Sequence, residues 1–325
     1  MADPALLRPA DPRLAALGHV LRPGTRGIEI GPYRRPIAPK AAGHDTLVVD
    51  CHDRDELVAM AREGGDDEAA LAVIETVDVV GDASRLLDLL RGAGIPGAFD
   101  WIVSSHNFEH LPDPVRFLRD CRALLAPGGV LAMVIPDKRF CLDRFQPAAT
   151  LAGVVEAWER GGDDVWGAFR QQACKARLDR DGGQAILWPS ACDDPQRLRC
   201  LDPRPAVARL REALAAAAPA AFRGHRWRFT PASFEALLYD LRVVGLVDLG
   251  TESVTTLPTG EFVALLREAG PAEPSTEEVE ARRSLLHRRA EDDAAVVSGA
   301  YRRLEAELAA ARAQIAAGNQ IAARG

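Results

Sequence analysis

The sequence predicts an α/β fold: a doubly wound, mostly parallel sheet closed by a C-terminal hairpin, with an insertion over its ligand edge and a helical tail. Three observations predict it. Short apolar runs alternate with segments of helical periodicity over residues 26–136, the pattern of strands joined by crossover helices. Several runs end in an acid or a glycine, as in EIG, VVD and GD. The last run, VLAMVIP at 130–136, is almost continuously apolar, as in a strand covered on both faces.

Each element follows in order. Residues 1–25 carry early prolines and acids and read as an N-terminal extension. A core over 26–146 opens with the strand RGIEIG (26–31) and continues with TLVVD (46–50). Helical sequence runs from Arg54 to about Glu63. VDVVGD (77–82) reads as a third strand, SRLLDLL as the helix after it, and FDWIVSS (99–105) as a fourth strand. From Asp113, the residues Val115, Leu118, Cys121, Leu124 and Leu125 recur at helical spacing. That helix is expected to stop at Pro127-Gly128-Gly129, before the fifth strand. Residues 147–229 are rich in Trp, Arg, Asp and Pro with weak periodicity, and read as a substrate-covering insertion. Residues 230–268 complete the sheet. Thr230 is a helix N-cap with Pro231 at the first position, and LVDLGTESVTT and EFVALLRE form a hairpin. Residues 269–325 are a linker and helical tail. Val297, Tyr301, Leu304, Leu308, Ala311 and Ile315 trace an a/d seam there. It fits a short coiled coil joining copies of the chain, or a helix packed back on the body.

The 325 residues are 47% hydrophobic and 27% charged, with a net charge of −7. That composition is of an ordinary globular protein and argues against a broad nucleic-acid-binding surface. The N-terminus has no signal-peptide core, and no stretch reaches the roughly 18 apolar residues of a membrane helix. A cytoplasmic location is expected. Cysteines 51, 121, 141, 174, 192 and 200 form no CxxC pair, so free, buried thiols are expected over disulfides or a zinc site.

Four tips carry the chemistry. Glu29-Ile30-Gly31-Pro32 ends the first strand, and glycine there lets a ligand approach the backbone. Pro32 and Arg34 stand where a glycine-rich loop would have further glycines. Asp50, at the second tip, suits a ribose diol or a surface cap. Gly81-Asp82-Ala83 suits an adenine amine or a helix N-cap. Ser104-Ser105-His106-Asn107-Phe108-Glu109-His110-Leu111-Pro112-Asp113 follows the fourth strand at the carboxyl edge, where open α/β sheets bind ligands.

The order EIGP, VVD, GDA, FDWIVSSHNFEHLPDP and LLAPGGVLAMVIPDKR resembles class I S-adenosylmethionine-dependent methyltransferases, on a Rossmann-like core. It is most similar to bacterial methyltransferase-domain proteins found with glycosyltransferases and surface-polysaccharide biosynthesis. HRWRFTPASF (225–234) resembles their C-terminal pattern, and the resemblance spans about 26–268. It implies that Glu29, Gly31 and Pro32 flank the methionyl part of the cofactor. Asp50 would hold the ribose, and Asp82 and Ala83 would border the adenine. Ser105, His106 and Asn107 would lie beneath the sulfonium, with Arg34 or Arg35 offered to the cofactor carboxylate.

The implied reaction is O-methylation of a saccharide-type acceptor. The cofactor brings the activated methyl, so the protein aligns the partners and supplies a base. His106, His110 and His225 are the candidate bases. Asp137, Lys138 and Arg139 are candidate substrate contacts or a surface ion-pair cluster. The tryptophans at 158, 166, 188 and 227 suit sugar stacking or core packing. A weakly binding scaffold whose tail recruits glycosyltransferases is one alternative, and a small-molecule or protein methyltransferase another. His106-Asn-Phe-Glu109-His110 also matches the H-x-x-E-H zinc-peptidase signature. A zinc hydrolase needs both histidines on one helical face, whereas an alternating strand precedes this segment and Pro112 and Pro114 follow it. A strand-to-turn reading with no metal is therefore expected.

Overall fold

The computed structural model describes residues 11–162, 165–194, 196–217, 223–270 and 274–295. Its strands are β1 (Arg26–Ile30), β2 (Asp45–Asp50), β3 (Val79–Val80), β4 (Phe99–Ser105), β5 (Leu125–Pro136), β6 (Ala176–Arg180), β7 (Gly183–Ala185), β8 (Leu198–Cys200), β9 (Leu249–Thr256) and β10 (Glu261–Glu268). Its helices are α1 (Pro12–Leu17), α2 (Arg54–Glu63), α3 (Glu68–Ala72), α4 (Leu86–Gly92), α5 (Pro114–Leu124), α6 (Leu151–Glu159), α7 (Val165–Ala173), α8 (Arg204–Ala215), α9 (Pro231–Val243) and α10 (Thr276–Ala295).

A seven-stranded sheet runs in the order β3-β2-β1-β4-β5-β10-β9. Strands β1 to β5 pair in parallel, and β10 pairs antiparallel with both β5 and β9. The order reverses between β1 and β4, which opens a crevice at the carboxyl ends of those strands. Alternation along the strands divides the core in two. Ile28, Ile30, Ile102, Leu131, Met133 and Phe262 pack with buried residues of α4, α5 and α9 on one face. Trp101, Val103, Ala132, Val134 and Val263 pack with Leu17, Ile37 and Ala38 on the other.

Gly27 lies opposite Trp101 across the β1–β4 ladder. A Cβ at Gly27 would sit 2.0 Å from the Trp101 ring, which is fully buried and bonded through Nε1 to Thr25 Oγ1 at 3.1 Å. Gly27→Ala is therefore expected to destabilise the fold by about 2 kcal/mol through overpacking. Urea denaturation checks this, and an unchanged midpoint would refute it.

Two local expectations need correction. The third strand is only Val79–Val80, not 77–82, because Asp78 is taken up by the neighbouring strand. Its carboxylate accepts the Val48 N–H at 2.7 Å and its own N–H donates to Val48 O at 2.9 Å. Pro127-Gly128-Gly129 does not stop the preceding helix. α5 already ends at Leu124, and the proline and glycines lie inside β5. The ladder shifts register between Phe99 and Trp101, and a Cβ on Gly129 would meet Phe99 O at 2.9 Å. The motif forms an irregular start to the strand.

The starts of α5 and α9 fall where expected. Asp113 caps α5 through the Arg116 N–H at 2.9 Å. Thr230 and Ser233 form a capping box at α9. The insertion contains α6, α7, α8 and a small antiparallel sheet, β7-β6-β8. It grips the strap after β5 through Ile186 O to Leu142 N at 2.7 Å and Phe140 O to Trp188 N at 2.9 Å. α10 packs on α9, with Arg283 on Asp240 at 2.8 Å and Arg289 on Glu235 at 2.8 Å. The a/d seam from Val297 to Ile315 lies outside the described residues. All six cysteines are free, but only Cys121 and Cys141 are buried; Cys51, Cys174 and Cys200 are exposed. No helix among the described residues is long and apolar enough to cross a membrane.

Candidate active site

The crevice is built from strand tips. Gly31 follows β1 in the left-handed region (φ +61), and nothing lies within 4 Å of where its side chain would stand. Its N–H donates to Val49 O at 2.8 Å, which joins the first two tips. Pro32 is buried beside it. Asp50 ends β2, largely buried, with Oδ1 accepting the His52 N–H at 3.2 Å. Asp82 follows β3 and accepts the Ser84 N–H at 2.8 Å, with Ala83 buried behind it. Beyond β4, Ser105, His106 and Asn107 come next, and Asn107 Nδ2 donates to Ser104 Oγ at 3.2 Å. His106 has φ +51, unusual for a residue with a side chain, and its N–H donates to Val134 O at 3.0 Å. Such backbone strain gathers at functional sites.

Glu29 has a different place. It lies on the opposite face of β1 from Ile28 and Ile30, and its two oxygens accept the Ile37 and Ala38 N–H groups at 2.7 and 2.9 Å. It fastens the loop after β1 from below. Burial outweighs those bonds and pushes its pKa up to about 7. Between about 4.5 and 7 the unfolded chain is ionised while the native one holds the proton, so this group's contribution to stability is lost as pH rises. Glu29→Gln keeps only one acceptor for two N–H groups and is expected to be the less stable form at pH 5. That gap should close by about 2 kcal/mol between pH 5 and 7. Paired unfolding curves check this; a gap independent of pH would refute it.

The arginines after Gly31 are engaged elsewhere. Arg34 pairs with Asp66 at 2.5 Å and lies over the Tyr33 ring, and Arg35 reaches Asp11 at 3.5 Å. Past β5, Asp137 and Arg139 are buried and paired at 2.5 Å, and Arg139 also bonds Asp293 on α10 at 3.0 Å. Burial pulls the Lys138 ammonium below its ordinary range, and Nζ donates to Arg144 O at 3.4 Å. This trio braces the strap. Trp188 and Trp227 are core residues, Trp158 is half-buried under Arg119, and Trp166 is exposed.

The histidines come together although His225 lies more than a hundred residues from His106 and His110. His106 Nε2 meets Glu261 Oε1 at 2.5 Å and its Nδ1 lies 3.6 Å from Glu109 Oε1. Burial alone would lower the His106 pKa, but the bond to Glu261 and the charges of Glu109 and Glu261 raise it. Glu261 moves the opposite way: burial would raise it, but His106 holds it down. His225 Nδ1 meets the buried Asp143 Oδ2 at 2.6 Å. Burial there is likewise outweighed by the carboxylate partner, and its pKa rises. His110 packs edge-on to His225, with ring centroids 4.6 Å apart, and burial lowers its pKa.

Sequence reasoning named the histidines but not Glu261 or Asp143. An acid opening the otherwise apolar strand EFVALLRE was a usable signal. β10 runs antiparallel, so its first residue, opposite Pro136, lands at the carboxyl edge of the parallel strands. Nothing in the sequence marks Asp143.

A family profile described as "Methyltransferase domain" matches residues 5–241. The chain belongs to the methyltransferase-domain family. Among curated proteins, this methyltransferase-domain chain is 33% identical over 104 residues to the ubiquinone biosynthesis O-methyltransferase of Psychrobacter arcticus, covering 28% of this chain and 40% of that protein. It is 37% identical over 62 residues to the protein of the same name from Xanthomonas campestris, covering 19% and 23% respectively. The chain thus spans less than half the length of these relatives. Similar solved structures include the CcbJ methyltransferase from Streptomyces caelestis (13% identity, 81% and 97% coverage, TM-score 0.41). An S-adenosylmethionine-dependent methyltransferase from Mesorhizobium loti is another (16% identity, 80% and 99% coverage, TM-score 0.41).

Family membership indicates S-adenosylmethionine as the cofactor, and the residues present fit it. The side-chain-free backbone of Gly31 opens onto unfilled space, and the Asp50 carboxylate keeps acceptor capacity beyond its bonds to His52 and Cys51.

Proposed function

We propose that the chain transfers the methyl group of S-adenosylmethionine to a hydroxyl of a polar, saccharide-type acceptor. What supports this reading is that, in a methyltransferase-domain chain, Gly31, Asp50, Asp82 and His106 stand at the ends of four neighbouring strands, with His106 and His225 held by carboxylates. Gly31 and Pro32 would admit the methionyl part, Asp50 would accept the ribose hydroxyls, and Asp82 and Ala83 would border the adenine. Ser105, His106 and Asn107 would line the methyl side. Glu29 would act from below, by holding the loop. The cofactor supplies the methyl as a sulfonium. His106 would take the proton of the acceptor hydroxyl as the methyl is transferred, and Glu261 would stabilise the resulting imidazolium.

Transfer to oxygen is supported by the O-methyltransferase names of the curated relatives. The saccharide is supported by the likeness of the EIGP, IPDKR and HRWRFTPASF motifs to polysaccharide-associated methyltransferases. On this reading a glycosyl-transferring enzyme makes the acceptor. The test is an assay of the full chain with methyl-labelled S-adenosylmethionine against sugars, nucleotide sugars, oligosaccharides and phenols. Label on a sugar hydroxyl is expected. Label confined to phenols would overturn the saccharide assignment, and label on nitrogen or protein the assignment to oxygen.

A further inference from the structure

We infer that Glu109, His110 and His225 form a binding site for a divalent transition-metal cation of the zinc and cobalt type, beside the methyl-transfer centre. The sequence reading expected no metal and weighed only the H-x-x-E-H set. The fold assembles a different one. One ligand atom from each of Glu109, His110 and His225 lies within 4.8 Å of the others. A four-coordinate ion holds its ligand atoms about 3.4 Å apart at ordinary bond lengths, so the cluster needs to close by about 1 Å.

Three further observations point to a cation. Glu109 is 1% exposed, yet among the described residues nothing donates a hydrogen bond to either of its carboxylate oxygens. Its nearest basic atoms, His106 Nδ1 and His110 Nε2, are 3.6 and 3.9 Å away, too far for hydrogen bonds. A buried carboxylate in that condition calls for a partner. Next, both histidines are anchored through the same ring atom. His225 Nδ1 is held by Asp143 at 2.6 Å and His110 Nδ1 by Gly224 O at 3.3 Å. Both rings therefore keep Nε2 for coordination, the outer-shell arrangement that fixes metal-binding histidines. Finally, the donor set selects the class of ion. Two imidazoles and one carboxylate suit zinc, cobalt, iron or manganese, whereas magnesium and calcium favour all-oxygen shells. The His110 side chain is 45% exposed, which gives the ion a way in.

Three protein ligands leave at least one coordination position open. An acceptor oxygen bound there would be acidified and fixed in place. This consequence rests on the methyl-transfer reading; the cation site itself does not.

The test uses the full chain stripped with chelator and then dialysed against Co²⁺ or Zn²⁺. One metal per chain is expected by elemental mass spectrometry, with a visible Co²⁺ spectrum free of thiolate charge-transfer bands. His110→Ala and His225→Ala should each weaken binding by about 100-fold. His110→Ala alters a half-exposed side chain, so it guards against a folding artefact at the buried positions. Absence of stoichiometric metal, wild-type affinity in both variants, or a thiolate spectrum from the exposed cysteines would overturn the proposal. S-adenosylhomocysteine binding, measured in parallel, should stay unchanged in His110→Ala. Metal binding without it would sink the methyltransferase reading and leave the cation site standing.

Discussion

His106→Ala is expected to lower the methyl-transfer kcat by roughly 10²- to 10⁴-fold, the span of a positioned general base. The argument is geometric. His106 sits at the tip of β4, turned by a strained backbone, and its Nε2 is fixed by Glu261 at 2.5 Å. Removing the ring leaves the hydroxyl proton without an acceptor and leaves Glu261, fully buried, with only Thr259 Oγ1 at 2.6 Å. S-adenosylhomocysteine carries no sulfonium charge, so its affinity should fall by less than about tenfold. Glu261→Gln preserves an acceptor for the ring but removes the charge. It should lower kcat by roughly 10- to 100-fold with KM little changed, which marks a positioning residue. Steady-state kinetics with calorimetry separates the outcomes. Full kcat in His106→Ala would remove this residue from proton transfer.

Asp50→Ala is expected to weaken S-adenosylhomocysteine binding by about 100-fold, close to 3 kcal/mol. A ribose diol would donate two hydrogen bonds to this carboxylate, each worth roughly 1.5–3 kcal/mol with a charged partner. Asp50 is well suited to such a loss, because it is buried at the β2 tip and its side chain bonds to His52 N and the Cys51 thiol in its own turn. The substitution removes no long-range contact of its side chain, so the fold should survive. Calorimetric titration checks this; unchanged affinity would take Asp50 out of the site.

Much of the fold was legible because its elements obey local rules. α5 has a capping acid, a proline at its first position and an apolar stripe, and β5 is apolar almost throughout. Where reading failed, tertiary contacts had overridden local sequence. Pro127-Gly128-Gly129 looked like a helix breaker, but Gly129 is needed where Phe99 O crosses β5. The strand ends proposed to hold the cofactor were legible as strand ends because glycine and acids there are local features. The surroundings of the histidines were less so. Glu261 and Asp143 reach His106 and His225 across 155 and 82 residues of chain, and no periodicity records such a meeting. Lys138 and Arg139 looked like substrate contacts because charge is visible in sequence, whereas their internal partners, Arg144 and Asp293, are not.

One adenosyl group enclosed by the ends of β1, β2, β3 and β4 is the claim under everything else. A crystal structure of the full chain with S-adenosylhomocysteine tests it directly. The account predicts ribose hydroxyls on Asp50, adenine beside Asp82 and Ala83, the amino-acid portion against Gly31, and the sulfur facing His106. Ligand density elsewhere, or no binding at millimolar concentration, would contradict it and favour a scaffold that has kept the fold without the chemistry.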